Sequence, residues 1–136
     1  MTGSRLRALA AGMVSLLLVA AEPAGAIHGL AGSVPTVGAD EVRRLLEGRE
    51  RPALVDLRPA AEYQKGHLPG ARSIPVGELR RRFHEIPRGR VILYCACSGE
   101  DAQAAAQLLR DRGIADVSVL GEGFPGWVAR GYPLER

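Results

Sequence analysis

Short apolar runs alternate along the chain with segments whose apolar residues recur at helical spacing. The runs that predict buried strands cover 53–57, 90–94 and 117–120, with a shorter candidate at 71–74. Helical spacing predicts helices at 40–47, 60–65, 76–84, 101–112 and 124–130. Strands that alternate with helices of this length indicate crossover connections within a parallel sheet. The pattern therefore predicts a single α/β domain in which helices cover both faces of a parallel sheet.

A different pattern occupies the first 26 residues. Arg5 and Arg7 precede an apolar run at 8–21, and small residues follow that run. This order is typical of a secretory signal peptide, and the run is shorter than the ~20 apolar residues that a membrane span needs. We therefore predict a signal peptide at 1–26 and export to the periplasm or the medium. The alternative is an uncleaved anchor, the one case in which we expect a membrane partner.

Composition narrows the classes of protein to which the chain can belong. Hydrophobic residues make up 46% of the 136 residues and charged residues 24%, which indicates a globular chain rather than a disordered one. Two cysteines are too few for a disulfide-rich scaffold. The net charge of +3 is spread along the sequence, so we predict no nucleic-acid partner. A flexible lead-in is predicted at 27–36 and one domain at 37–135.

A cysteine follows the predicted strand at 90–94 directly. In open parallel sheets, ligands bind beyond the carboxyl ends of the strands. A short loop at 96–101 can curl around the sulfur of Cys95, so that its N–H groups and the following helix N-terminus favour an anion and lower the thiol pKa. Cys95 is therefore a candidate nucleophile for covalent catalysis. The alternative is that Cys95 is only a small buried apolar residue.

Three segments resemble the signatures of rhodanese-like domains. The first is VDLRPAAEYQKGHLPGARSIP at 55–75, the second is the Tyr-Cys pair with its loop, and the third is GFPGWVARGYPLE at 123–135. The matching positions of the first segment are Asp56, Arg58, Glu62, Tyr63 and 66–71. The resemblance covers 34–135 and implies a rhodanese-like three-layer sandwich. It also implies a sulfurtransferase that takes sulfur from a donor such as thiosulfate or a persulfide.

The resemblance implies a role for each candidate site residue. Cys95 would carry the sulfur as a persulfide and pass it to a thiophilic acceptor, and the loop amides would stabilise the anions that form. The implied substrate-binding loop consists of Ala96, Cys97, Ser98, Gly99, Glu100 and Asp101. Arg58 is a candidate supporting residue, with a structural hydrogen-bonding role as the preferred interpretation. No metal or other cofactor is expected, and the expected partners are a small sulfur donor and a thiol or other thiophilic acceptor, including a protein.

The predicted loop departs from the family pattern in its charge. Many active members carry a basic residue near the helix start, where this chain has Glu100 and Asp101. These carboxylates repel a thiosulfate dianion and raise the thiol pKa, so a neutral or protein-bound sulfur donor is favoured.

A second cysteine, Cys97, adds two further hypotheses. It is placed to accept sulfur internally or to form a disulfide with Cys95 in an oxidising compartment. Two alternatives to the sulfurtransferase therefore stay open. One is a non-catalytic rhodanese-like binding module, and the other is a thiol–disulfide redox protein that uses Cys95 and Cys97.

Overall fold

The computed structural model describes residues Gly32–Arg136. The predicted signal peptide at 1–26, and the part of the predicted lead-in at 27–31, lie outside the described residues. The elements in chain order are β1 (Thr36–Val37), α1 (Ala39–Glu47), β2 (Ala53–Asp56), α2 (Ala60–Lys65), β3 (Arg72–Ser73), a 3-10 turn (Val76–Glu78), α3 (Leu79–Arg82), a second 3-10 turn (Phe83–Glu85), β4 (Val91–Tyr94), α4 (Gly99–Asp111), β5 (Val117–Leu120) and α5 (Gly123–Ala129). Over this part of the chain, no helix has both the length and the apolar character needed to cross a membrane.

The five strands form one parallel sheet in the order β1-β5-β4-β2-β3. Alternate residues of a strand point to opposite faces, and each face of this sheet has its own core. Along β4, Leu93 faces the core closed by α3 and α4, as does Cys95, which follows the strand. Ile92 and Tyr94 face the core closed by α1 and α5. Residues Gly32–Arg136 thus form the three-layer α/β sandwich that the sequence predicts.

The first strand is the element that the hydrophobic pattern misses. Thr36 and Val37 pair with β5, and Val34 is buried. The side-chain amide of Gln103 holds Val34 by two hydrogen bonds, one from the Val34 N–H (2.8 Å) and one to its carbonyl oxygen (3.0 Å). Residues 34–36 of the predicted lead-in are therefore part of the folded unit. A two-residue strand has no periodicity to detect, and its order comes from distant partners.

The continuous helix predicted at 76–84 is interrupted in the structure. A 3-10 turn precedes the four residues of α3, and another follows them. Leu79 is the fully buried residue of α3, and the neighbouring arginines carry the outer face. A single buried side chain gives little hydrophobic stabilisation to a regular helix, and Gly77 lowers its propensity further.

The sheet topology leaves a crevice at the carboxyl ends of β2 and β4. These strands are neighbours, but the helices that follow them lie on opposite faces. Tyr63 of α2 packs against the α1–α5 core, whereas α4 closes the other core. Divergence of this kind marks the point in an open parallel sheet where ligands bind. Cys95 follows β4 at this point.

Candidate active site

The backbone around Cys95 is held from two directions. The Tyr94 carbonyl oxygen accepts a hydrogen bond from the Leu57 N–H, and the Cys95 carbonyl oxygen accepts one from the Phe124 N–H, both at 2.9 Å. Gly123 has φ +61°, and a Cβ at this position would lie 2.5 Å from the Cys95 carbonyl oxygen. A side chain does not fit there, so glycine is required for the start of α5 to approach the cysteine this closely.

The loop after Cys95 is shorter than the predicted six residues at 96–101. Helix α4 begins at Gly99, because Ser98 caps it: the Ser98 Oγ accepts from the Asp101 N–H at 3.4 Å and donates to the Asp101 carboxylate at 3.1 Å. Acidic residues in the first turn also favour an early helix start. Gly99, Glu100 and Asp101 therefore belong to the first turn of α4, and the intervening loop is residues 96–98.

Cys95 and Cys97 are joined by a disulfide bond. The sequence leaves this pairing open. The Cys97 N–H also donates a hydrogen bond to the Cys95 Sγ at 3.0 Å. Cys95 is 7% exposed, whereas Cys97 is exposed. The inner sulfur is thus shielded, and the outer half of the disulfide is open to solvent.

Two cavities border the disulfide. The first, of about 540 Å³, is lined by Thr36, Cys95, Ala96, Cys97, Ser98, Gly99, Glu100, Ala102, Gln103, Val119, Leu120, Gly121, Glu122, Gly123 and Pro125. The second, of about 410 Å³, is lined by Leu57, Arg58, Pro59, Glu62, Val76, Cys95, Ala96, Cys97 and Phe124. Residues 95–97 belong to both linings, so the exposed Cys97 half of the disulfide can be approached from either cavity.

The structure brings most of the predicted site residues together. Residues 95–100 line the first cavity, and Arg58 lines the second. Asp101 lines neither, and its carboxylate serves the Ser98 cap.

Arg58 is held by structural hydrogen bonds. Its guanidinium donates to the Asp56 carboxylate, with a shortest distance of 2.6 Å, and to the Gly66 carbonyl oxygen at 2.7 Å. Burial acts to lower the pKa of Arg58, but hydrogen bonds and the charge of Asp56 outweigh it and raise that pKa, so the side chain stays cationic. Tyr94 also donates to Asp56 at 2.8 Å, and burial together with the Asp56 charge raises the Tyr94 pKa. Arg58 is thus an anchored, hydrogen-bonded side chain, and whether it also supports catalysis stays a prediction.

The same arginine connects the buried ion pair to the cysteine. The Arg58 guanidinium carbon lies 3.5 Å from the centre of the Phe124 ring, a cation–π contact. The Phe124 N–H in turn donates to the Cys95 carbonyl oxygen. The pair of Asp56 and Arg58 is therefore positioned to orient the backbone that presents the sulfur.

The surroundings of the disulfide are acidic. Glu100 and Glu122 line the first cavity and Glu62 lines the second, while Arg58 is neutralised by its ion pair. Glu122 accepts from the Ala39 N–H at 2.9 Å and pairs with Arg130 at 2.8 Å, which ties α5 to the start of α1. Glu100 is thus the carboxylate most directly available to repel an anionic ligand.

Several lining residues were not predicted from the sequence. Gly121, Gly123 and Pro125 lie along the first cavity, as do Thr36 and Gln103. The motif at 123–135 indicates the family resemblance but does not by itself predict a cavity wall. No local sequence pattern marks Thr36 as a lining residue. Across residues Gly32–Arg136, no group of His, Cys, Asp or Glu side chains is arranged to hold a metal ion.

Comparisons with known proteins identify the family to which this fold belongs. The family model for the rhodanese-like domain matches residues 38–130. A sulfurtransferase of Allochromatium vinosum is 31% identical over 102 residues, which cover 74% of this chain and 94% of that protein. The crystal structure of a thiosulfate sulfurtransferase from Pseudomonas aeruginosa superimposes with a TM-score of 0.65 and 36% identity, over 76% of this chain and 20% of that one.

A Bacillus subtilis protein that is named for a sulfur-carrier role is 27% identical over 100 residues, which cover 74% of this chain. This chain spans only 54% of the length of that relative. The match to the domain family, by contrast, covers most of this chain and includes the cysteine loop. The chain belongs to the rhodanese-like domain family.

Proposed function

We propose that the chain is a sulfurtransferase that carries sulfur as a persulfide on Cys95 once the disulfide has been reduced. The observation that carries this proposal is the place of Cys95. It directly follows β4, the strand at the centre of the sheet, it precedes the N-terminus of α4, and it borders two cavities. The similarity to sulfurtransferases supports the same reaction class. The partners are a sulfur donor and a thiol or protein acceptor.

The reaction follows from nucleophilic chemistry at sulfur. The Cys95 thiolate attacks the outer sulfur of the donor, the donor's S–S bond breaks, and sulfite or a thiolate departs with the electron pair. An acceptor thiolate then attacks the terminal sulfur of the persulfide and releases the Cys95 thiolate. The Cys97 N–H, which donates to the Cys95 Sγ, stabilises the negative charge on sulfur, and the positive end of the α4 dipole acts in the same direction.

Intact mass measurement tests this proposal. The reduced protein is freed of reductant and incubated with a small persulfide or with thiosulfate. We expect Cys97→Ser to gain one sulfur atom and Cys95→Ser to gain none. The Cys97 replacement is the matched control, since it removes a thiol two residues away and also prevents the disulfide. Absence of added sulfur on the Cys97→Ser protein contradicts the proposal.

The acidic surroundings predict a preference for a persulfide donor over thiosulfate. Glu100→Lys exchanges a negative for a positive charge on the lining of the first cavity, and we expect faster loading from the thiosulfate dianion by about tenfold, the equivalent of roughly 1.4 kcal/mol. The measurement is the rate of sulfite release by the reduced Cys97→Ser background. Loading from a neutral persulfide should change little.

A charge change at the other end of α4 provides the control. Asp111→Lys makes the same substitution of charge roughly 16 Å along the helix axis, and it should leave the thiosulfate rate nearly unaltered. The effect of Glu100→Lys should also shrink at high salt, because the Debye length falls from about 8 Å at 0.15 M to about 3 Å at 1 M. An equal gain from both substitutions, or a gain insensitive to salt, would contradict local repulsion as its cause.

The disulfide supports a second candidate function, thiol–disulfide exchange by Cys95 and Cys97 without any sulfur transfer. In that case the reduced wild-type protein reduces a disulfide substrate and returns to the bonded state, while neither single variant gains sulfur. The mass experiment above therefore separates the two candidates.

A further inference from the structure

We propose that Cys97 resolves the Cys95 persulfide by attacking the Cys95 Sγ, so that hydrosulfide is expelled and the Cys95–Cys97 disulfide is formed. When no external acceptor takes the sulfur atom, the chain would then release it as sulfide. This inference rests on the proposed function, since it requires a persulfide on Cys95. It makes the Cys95–Cys97 disulfide the product of each turnover.

The disulfide bond shows that the two sulfur atoms reach bonding contact within this loop. The attack that makes this bond is directed at the inner sulfur of a persulfide, the Cys95 Sγ, and not at the terminal one. The Cys97 N–H already donates to the Cys95 Sγ at 3.0 Å. An attacking group held on the same short loop has a large effective concentration compared with a free thiol.

The atoms and electrons of the step balance. The protonated persulfide has the form Cys95–Sγ–SH, and the Cys97 thiolate forms a new bond to Sγ. The bond between Sγ and the terminal sulfur breaks, and HS⁻ leaves with the electron pair. The terminal sulfur is reduced to sulfide, and the two cysteine sulfurs supply the two electrons as they become a disulfide. A dithiol reductant, small or protein-bound, then restores both thiols.

The exposure of the two cysteines fits their proposed roles, with Cys95 as the persulfide carrier and Cys97 as the thiol that resolves it. Cys95 is nearly buried, which protects a persulfide from adventitious thiols, whereas Cys97 is exposed. Both cavities border Cys97, so a reductant can reach the disulfide from the second cavity while a donor leaves from the first. A reducing thiol is expected to attack Cys97, the accessible sulfur, and to leave Cys95 as the released thiolate.

Charge favours an internal acceptor over an external one. Cyanide, sulfite and carboxylated thiols would approach past Glu100, which lines the first cavity. The other charges at the two cavities are ion-paired: Glu62 with Lys65, Glu122 with Arg130 and Arg58 with Asp56. Cys97 needs no such approach. The Glu100 carboxylate also repels departing HS⁻ and so opposes its return to the disulfide.

A single-turnover experiment without added thiol tests the inference. Reduced wild-type protein, freed of reductant, is mixed with one equivalent of thiosulfate or a small persulfide. We expect trapped hydrosulfide in proportion to the donor consumed, and an intact mass two hydrogens below that of the reduced chain. Under the same conditions Cys97→Ser should keep one added sulfur and lose hydrosulfide release, until an external dithiol is supplied.

The outcomes separate this inference from the proposed function. If Cys97→Ser gains no sulfur, the proposed function fails, and the inference fails with it. If Cys97→Ser gains sulfur and the wild-type protein also retains it, without hydrosulfide or disulfide, the inference alone is overturned. Migration of the added sulfur to Cys97, located by peptide mass mapping, likewise overturns it, because it means attack on the terminal sulfur.

Discussion

Asp56→Ala should lower the free energy of unfolding by about 3–5 kcal/mol, because it leaves the Arg58 guanidinium buried without its counter-charge. Arg58 is 4% exposed and Asp56 is fully buried. Tyr94 also loses the acceptor of its hydroxyl group. Urea denaturation of the disulfide-bonded protein measures the change as a shift in midpoint at constant slope.

Two further variants test whether the buried charge causes this loss. The exposed pair of Glu62 and Lys65 lies nearby on α2, and Glu62→Ala should lower the free energy of unfolding far less than Asp56→Ala, because water solvates both partners. The double replacement Asp56→Leu with Arg58→Met removes both charges and should recover much of the stability. If Asp56→Ala lowers the free energy of unfolding no more than Glu62→Ala does, the buried pair does not make the expected contribution to stability.

Gly123→Ala should both destabilise the fold and slow persulfide formation. The left-handed backbone at this glycine costs an L-residue roughly 1–2 kcal/mol, and the new Cβ would lie 2.5 Å from the Cys95 carbonyl oxygen. Relief of that contact moves Phe124 and weakens its hydrogen bond to Cys95. Urea unfolding gives the stability, and the rate of sulfur gain in the Cys97→Ser background gives the effect on the site.

Gly131 provides a matched control for this substitution. It has φ +68°, and a Cβ added there would meet no atom within 4 Å, so Gly131→Ala has the backbone cost alone. We expect the two variants to differ in stability and, more clearly, in the rate at which Cys95 is loaded. Equal behaviour of both would mean that the close approach of α5 to Cys95 has no role in presenting the sulfur.

The alternation of strands and helices was sufficient to predict the architecture. The boundaries of the predicted strand at 117–120 and of the predicted helix at 60–65 agree with those of β5 and α2. Gly121 follows the apolar run of β5, and Pro59 and Gly66 flank α2. The order of strands in the sheet depends on pairing between distant segments. The two-residue strand β1 depends on such pairing entirely.

The candidate site also combines features that local sequence predicts with features that depend on contacts between distant residues. Its cysteine was identified from local sequence, since a buried strand leads directly into it, and its role as nucleophile stays a prediction. The loop length was wrong because the Ser98 cap starts α4 earlier than the apolar spacing indicates. The contact of Arg58 with Phe124 joins residues that are far apart in sequence, and no local pattern reports it. The location of the protein outside the cytoplasm also stays a prediction.

The two hydrogen bonds between Gln103 and Val34 have a consequence for where a tag can be attached to this protein. Gln103 and Thr36 both line the cavity beside Cys95, so the chain runs into the domain along the rim of that cavity. A bulky affinity tag or fluorescent fusion joined at Ser33 would begin at this rim. We expect it to obstruct access to the cavity beside Cys95 and so to slow sulfur transfer. Attachment after Arg136, which is exposed, avoids that rim.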